Sequence, residues 1–539
     1  MFTNYLSHFP KGFEPSSQQV TILKGIEQAF KDNKFVICCA PTGSGKSFIS
    51  KTLGNSTNDC TEEFKNLINT YAAYKQALGS YTYEDECLEQ PPFGAFALTI
   101  TKALQDQYVG LFPDSSYLKG KSNYQCEVDP NFDVETAPCV LTPHIKDECW
   151  IQNKCPYYNA RNKSLTDRFS ILNYKMFLAL PHHVKRKNII ICDEASELED
   201  ELIKHFTLFI DPDKLKTLGV VVPYLYKEEP QAILTWVNQL SEILAGHISD
   251  LNIALNEKKK LTIVDKRKLN YFINLHGTVR QIIGTWDTTE YICQRDGKTA
   301  KLTPLRVDNL TKFIFDCADK VVLMSATIID HANFAKSLGI EKYKFIEVDS
   351  TFDPKKAPIH ISTKVKLNRA NLEKNLPIIA QQIQKICDMH KDEKGIIHTH
   401  TMQITSYLQK TLKGNRFIFR EDGVANEDML KSHNLATAAS VLVSPSMTFV
   451  VDLKGDLARF QIIVKAAYLP LSDNRIKKLF DIDKAWYLDK MLCNLVQACG
   501  RGNRSKDDYC VTYILDGVLF DAIIANKGKL PKYFLDRFT

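Results

Sequence analysis

Lys34-Phe-Val-Ile-Cys-Cys-Ala40 followed by Pro41-Thr-Gly-Ser-Gly-Lys46-Ser47 is the stretch that decides the fold. The apolar run suits a buried strand, and it feeds a glycine turn that opens a helix. A loop of this kind aims the backbone N–H groups of Thr42, Gly43, Ser44 and Gly45 at phosphate, and the two glycines permit the tight path. Lys46 then neutralises the outer phosphates, and the Ser47 hydroxyl is a magnesium ligand. Ala40 replaces the first glycine of the general pattern and leaves the Gly-Lys-Ser core intact.

A second buried-strand candidate, Asn188-Ile-Ile-Ile-Cys192, delivers Asp193 and Glu194 to its C-terminal end, where ligands sit in open α/β sheets. Asp193 is placed to hold magnesium and Glu194 to orient the attacking water, since phosphoryl transfer depends on positioning and charge stabilisation. By itself an Asp-Glu pair is often only an N-cap; the upstream loop tips the reading. Gln497-Ala-Cys-Gly-Arg501-Gly-Asn-Arg504 puts two arginines three apart, so a helical path turns both to one face. Guanidinium groups brought to a γ-phosphate from a second domain stabilise transition-state charge.

The 539 residues exceed what one hydrophobic core holds, and three or four packed units are expected. Hydrophobic residues make up 44% and charged ones 24%, as in ordinary globular proteins, and the net charge of +6 permits an anionic partner without demanding one. No run of about 18 apolar residues occurs, and Met1 to Pro10 lacks a basic-then-apolar leader, so an intracellular, cytoplasmic protein is expected. The odd total of 15 cysteines fits a reducing compartment, and Cys38, Cys39, Cys192, Cys387 and Cys510 lie in apolar stretches as small core residues.

Four other cysteines stand in polar, irregular sequence with the spacing Cys126-x12-Cys139-x9-Cys149-x5-Cys155. Four thiolates suit one soft metal centre; tetrahedral zinc and a four-iron cluster both qualify, and no close C-x-x-C pair separates them. The same segment carries Lys119, Lys121, Lys146, Lys154, Arg161 and Lys163 among Tyr117, Tyr124, Trp150, Tyr157 and Tyr158. Cations tracking a backbone and rings stacking on bases are what a single strand needs. The rings serve equally well as the core of a small metal domain.

More than a hundred residues follow the Asp-Glu box, too many for a loop. Trp236, Leu240, Ile243, Leu244, Ile248 and Leu251 recur at helical spacing, with a second stripe at Leu269, Phe272 and Ile273. Lys258-Lys-Lys260 and Lys266-Arg-Lys268 read as a solvated face. From about residue 335, strand candidates at 395–397, 439–443, 461–464 and 510–515 alternate with helical stretches, as in a second parallel α/β domain.

In this order the motifs resemble superfamily 2 helicases of the XPD/DinG-like, iron–sulfur type. Phe13 to Gln19 is similar to the adenine-reading segment, with Gln18 or Gln19 as reader; Ala97 to Gln107 resembles the first strand-contacting motif and Val322-Leu-Met-Ser-Ala-Thr327 the S-A-T coupling motif. Gly395 to Thr401 looks like the start of the second motor domain, Leu442 to Thr448 with Asp452 to Asp456 the fifth motif, and Gln497 to Arg504 the sixth. Three departures stand out. Ser196 occupies the place of the family's histidine in the D-E-A-S box, Phe449-Val450-Val451-Asp452 lacks the family's Glu-Gly, and a long polar interval from Gly54 to Pro92, with Tyr71, Tyr74 and Glu84-Asp-Glu86, reads as a surface insertion.

The resemblance implies two RecA-like parallel-sheet α/β motor domains carrying an inserted iron–sulfur cluster domain and a mainly helical arch domain. The expected first motor domain covers 1–110, 166–205 and 316–334, the cluster domain 111–165, the arch 206–315 and the second motor domain 335–539. It implies ATP and Mg2+ at Gln19, Thr42 to Ser47, Asp193 and Gln497, catalysis by Lys46, Asp193, Glu194, Arg501 and Arg504, and a [4Fe-4S] cluster on Cys126, Cys139, Cys149 and Cys155. The implied activity is ATP-dependent DNA unwinding with 5′-to-3′ movement along a single strand. Single-stranded and forked DNA and replication or repair proteins are the expected partners of a monomeric chain with no membrane role. The rival readings are a translocase that remodels protein–DNA or RNA-containing complexes without processive unwinding, and a structural DNA-binding subunit with a decayed ATPase, against which the intact phosphate loop and acidic box stand.

Overall fold

The computed structural model describes residues 4–69, 93–140, 149, 154–256, 263–363, 365–420, 426–445, 453, 455–502 and 508–539. Short apolar runs ending in turn residues become strands. β1 (Phe35–Cys39), β2 (Ala95–Thr99), β3 (Ser116–Leu118), β4 (Phe169–Asn173) and β5 (Lys187–Asp193) come first. They are followed by β6 (Leu208–Ile210), β7 (Tyr291–Asp296) and β8 (Thr299–Pro304) in a separate sheet, and then by β9 (Ala318–Ser325) and β10 (Tyr343–Glu347). The first lobe is a seven-stranded sheet in the order β10-β1-β9-β5-β2-β4-β3, parallel throughout. Helices cover both faces, so the strands are apolar at nearly every position rather than alternating; β2 is buried along its whole length.

Strand order places the chemistry. β1, β9 and β5 are neighbours, with Cys39 paired to Ser325 and Asp193 to Met324. The phosphate loop, the S-A-T motif and the Asp-Glu box therefore leave the carboxyl edge side by side, about 5 Å apart. β10 pairs with β1 at the outer edge, so the strands of the first lobe run on to Glu347.

The second lobe comprises β11 (Ile359–Ile361), β12 (Gly395–His398), β13 (Phe417–Phe419), β14 (Val441–Ser444), β15 (Phe460–Ile463) and β16 (Val511–Ile514), parallel in the order β11-β16-β15-β12-β14-β13. The four strand candidates read from the sequence fall on β12, β14, β15 and β16. The fold class is thus the expected one, two RecA-like parallel-sheet lobes with insertions into the first.

The second insertion pairs the helices Pro230–Asn256 and Ile263–Thr285 around Val237, Leu240, Leu244, Phe272, Val279 and Ile282. Beneath them lies an antiparallel sheet, β6-β8-β7, so the unit is less purely helical than its stripes suggest. Its hairpin turns at Gly297-Lys298, between the paired Asp296 and Thr299, and Gly297 has φ +61°, the left-handed conformation the first position of such a tight turn requires. Ile243, expected on the buried stripe, is exposed; Lys258 to Lys260 lie outside the described residues. The interval from Gly54 begins in the core rather than on the surface. Helix Glu62–Asn69 buries Phe64 and Ile68, and the Phe64 ring lies 5.8 Å from that of Phe93. Tyr71, Tyr74 and Glu84 to Glu86 are outside the described residues.

Candidate active site

The phosphate loop takes its shape from two left-handed glycines. Gly43 has φ +83° and Gly45 φ +78°, and Gly45 caps helix Lys46–Asn55, so backbone N–H groups and the positive helix end face the same point. A Cβ at Gly43 would stand 2.5 Å from the Phe352 ring, which packs on the loop from the segment joining the lobes. The hydroxyl of Ser44 is buried with no hydrogen-bond partner among the described residues, a polar atom suited to a phosphate oxygen. Gln19 supports the loop from behind: its Oε1 accepts from Ser16 N–H at 2.8 Å, and its Nε2 donates to the Gly45 carbonyl at 3.3 Å. Gln18 donates to the carbonyl of Asp349 in the joining segment.

Lys46 Nζ lies 3.6 Å from Glu194 Oε1, which brings the loop and the box into one small volume. Glu194 sits at φ +48°, ψ +48°, a strained conformation for a residue with a Cβ and one that recurs at functional sites. Its N–H donates to Asp193 Oδ1 at 3.0 Å. Asp193 is buried, and burial raises its carboxyl to about 6; Lys46 pulls the other way and Glu194 adds to the rise.

Tyr108, on helix Lys102–Leu111, completes this group and was not singled out in the sequence. Its hydroxyl donates to Asp193 Oδ2 at 2.8 Å, lies 3.1 Å from Ser50 Oγ and is also hydrogen-bonded to Ser47. Ser47 and Asp193, the two expected magnesium ligands, therefore meet at one phenol. Burial drives the Tyr108 hydroxyl well above its ordinary range, so it remains a donor. A lone aromatic on an amphipathic helix reads as core, and only the fold brings it to a carboxylate 85 residues away.

Across the cleft, Gln497 Nε2 donates to Glu197 Oε1 at 3.1 Å and to Thr327 Oγ1 at 3.1 Å, and lies 3.4 Å from Ser196 Oγ. Ser325 Oγ donates to Ser196 Oγ at 3.0 Å. Ser196, standing where the family carries histidine, still touches the S-A-T motif, through a hydroxyl in place of an imidazole. Arg501 follows the helix that carries Gln497 and lies near the end of β12, where burial and then the Arg501 charge press the His398 imidazole down to about 4. Arg504 and Phe449 to Asp452 lie outside the described residues. Beside the loop an open cavity of about 250 Å³ has Pro41, Thr42, Asp349, Phe352, Gly500 and Tyr533 in its lining, so both lobes and their connection contribute to it.

In the first insertion Cys126, Cys139, Cys149 and Cys155 line one small cavity together with Val134 and Tyr158. Cys126 and Cys155 are buried, Cys139 and Cys149 half-buried, and none is in a disulfide. Thiols are the donor type a soft metal centre takes. Among the described residues no three His, Cys, Asp or Glu side chains are grouped so as to hold a single metal ion. The rings divide: Tyr157 is buried, edge-on to Tyr124 and Tyr158, whereas Tyr117 is exposed with Lys119 over its face. Arg161 is buried with its guanidinium on Asn162 Oδ1, so it belongs to this packing; Lys121, Lys154 and Lys163 are exposed. Lys146 and Trp150 lie outside the described residues, and no described helix is long and apolar enough to cross a membrane.

Two parallel lobes thus bring a phosphate loop, an acidic box and an S-A-T motif together at their cleft. Residues 389–534 match the helicase C-terminal domain family. A probable ATP-dependent helicase of Methanocaldococcus jannaschii is 20% identical, the match covering 80% of this chain and 86% of that protein. A solved XPD helicase superposes over 98% of this chain and 99% of its own with a TM-score of 0.58 at 16% identity. Xpd4 of S. tokodaii covers 96% and 99% with a TM-score of 0.53 at 15% identity. At these identities the superpositions show the fold, and the matched family accounts for the C-terminal residues 389–534.

Proposed function

We propose that the chain is a DNA helicase that moves 5′-to-3′ along a single strand and unwinds duplex by coupling ATP hydrolysis to closure of its two lobes. The observation that carries this reading is Gln497: a second-lobe side chain bonded at once to the box and to the S-A-T motif gives the hydrolysis site a direct connection to the opposite lobe. ATP phosphates lie on the N–H groups of Thr42 to Ser47, with Lys46 on the outer phosphates. Ser47 and Asp193 would hold the magnesium, which would supply charge neutralisation to the phosphates. Glu194 orients the attacking water, and Arg501 with Arg504 meets the γ-phosphate when the lobes close. The DNA substrate and the polarity rest on the family resemblance.

Cys126, Cys139, Cys149 and Cys155 hold a [4Fe-4S] cluster in this proposal, supported by their shared cavity and by the family resemblance. The cluster would serve as the structural centre of a domain poor in other core. Lys121, Lys154 and Lys163 are the exposed cations that meet the strand. The missing Glu-Gly at Phe449-Val450-Val451-Asp452 favours a second reading, a translocase that remodels complexes without processive unwinding. Strand displacement on forked DNA, RNA and hybrid substrates, run beside ATP hydrolysis, decides between them. Hydrolysis stimulated by single strands with displacement of forked DNA supports the helicase; near-normal hydrolysis in Lys46→Ala or Glu194→Gln overturns the site.

A further inference from the structure

One face of the helix Lys484–Cys499 is polar and turned wholly to the first lobe. Trp486, Asp489, Lys490, Cys493 and Gln497 follow helical spacing along it. Trp486 Nε1 donates to Glu199 Oε2 at 3.0 Å, Lys490 Nζ lies 3.0 Å from the same oxygen, Asp489 accepts from Asn333 at 2.7 Å, and Cys493 Sγ lies 3.5 Å from the Thr327 carbonyl. Gln497 ends the row at the box, and Gly500 and Arg501 come directly after. The row spans about 16 Å, so the orientation of this helix fixes where Arg501 lies relative to Lys46 and Glu194.

At the far end the row is held by one carboxylate. Glu199, six residues beyond Asp193 and 6% exposed, takes Arg475 Nη2 on Oε1 at 2.9 Å and Lys490 and Trp486 on Oε2. Arg475 also donates to the carbonyls of Pro304 and Leu305, and Lys490 reaches Asp200 at 3.7 Å. Both cations stand over the indole of Trp486, at 5.6 and 5.9 Å. Every partner of this buried carboxylate comes from the second lobe, while its own helix, Leu198–His205, continues from the D-E-A-S box. Buried charges of this kind contribute little net stability but demand one geometry, because each left alone is costly.

We propose that Glu199 is a positioning residue for ATP hydrolysis: with Arg475, Lys490 and Trp486 it fixes the second-lobe helix against the acidic box, and so sets Arg501 for the γ-phosphate. Glu199 acts through the helix, by way of Arg475, Lys490 and Trp486. The proposal rests on reading the chain as an ATP-driven motor.

The test is steady-state ATP hydrolysis by the full chain, with an oligothymidylate strand, across ATP concentrations. Glu199→Gln and Lys490→Met each lower kcat by about tenfold or more while KM for ATP stays within about threefold, because the interaction is made in the transition state. The double variant is no worse than the worse single one, as for two members of one unit. Trp486→Phe, which keeps the ring and removes the donor, lowers kcat by about threefold and serves where charge variants do not fold. In the wild type, ATP binding changes Trp486 fluorescence, and Glu199→Gln abolishes the change. A folded Glu199→Gln or Trp486→Phe protein with wild-type kcat, or a loss confined to KM, overturns the proposal. A wild type that does not hydrolyse ATP on the single strand overturns the motor reading instead.

Discussion

Tyr108→Phe removes one oxygen from the centre of the candidate site and leaves the ring in place. The hydroxyl donates to Asp193 Oδ2 at 2.8 Å inside a buried pocket, so the substitution takes a charge-assisted hydrogen bond from a carboxylate whose burial already holds it at about 6. Such a bond is worth about 1.5–3 kcal/mol, and about 1.4 kcal/mol corresponds to one pH unit of proton affinity. The Asp193 carboxyl should therefore move up by about one to two pH units. Protons compete with magnesium for the ionised form, so affinity for the ion is lost as pH falls through the carboxyl's own value, and the variant loses it earlier. The measurement is ATP hydrolysis against pH at several magnesium concentrations. The acidic limb should shift to higher pH by about one to two units, and excess magnesium should partly restore it. A limb displaced by less than about a third of a unit, which falls below any charge-assisted bond, would refute the assignment of Tyr108 and Asp193 to one site.

Other perturbations test the remaining features. Lys187 is wholly buried against the Phe96 ring at 4.3 Å, and burial lowers its ammonium from 10.5 to about 7. The unfolded chain then holds a proton that the native chain lacks between those values, so stability rises with pH across that window and the full cost is present below about 7. Lys187→Met should accordingly stabilise by about 3 kcal/mol more near pH 6.5 than near pH 9.5, read by urea unfolding, offset in part by the lost bond to Ser170. Gln497→Leu deletes the donor shared by Glu197 and Thr327; stimulation of hydrolysis by a single strand should fall about tenfold or more with fluorescent ATP-analogue binding nearly intact. Cys155→Ser, in the lining of the four-thiol cavity, should abolish sulfur-to-iron absorption in anaerobically purified protein and leave the phosphate-loop affinity for ATP unchanged.

What the sequence disclosed and withheld follows from the range of each interaction. The run 35–39 before a Gly-Lys-Ser loop is a local signal, and β1 and its loop are where it puts them. The Asn188 to Cys192 run likewise delivers Asp193 to the end of β5. Tyr108 and Glu199 gave no such signal. A tyrosine on an amphipathic helix packs in most proteins, and Glu199 within Glu-Leu-Glu-Asp-Glu looks solvated until Arg475 and Lys490 arrive from nearly three hundred positions away. β10 and the hairpin β7–β8 were missed for a related reason. Tyr343–Glu347 is a half-buried edge whose partner lies in β1, and the Gly297-Lys298 turn, a local signal that was present, was overshadowed by the two long helical stripes before it.

The hairpin β7–β8 is spliced into the first lobe and leans on the second. Asp473 takes Lys301 and Gln294 from it, Glu290 at its foot pairs with Lys478, and Arg475 holds the carbonyl of Pro304. The insertion is thus tethered by its peptide bonds to one rigid body and braced by ion pairs on another, like a crank mounted across a joint. A relative rotation of the lobes must either swing the long helix pair above the hairpin or shear those contacts. In the motor proposed above, any rotation driven at the phosphate site would be carried outward through this strut.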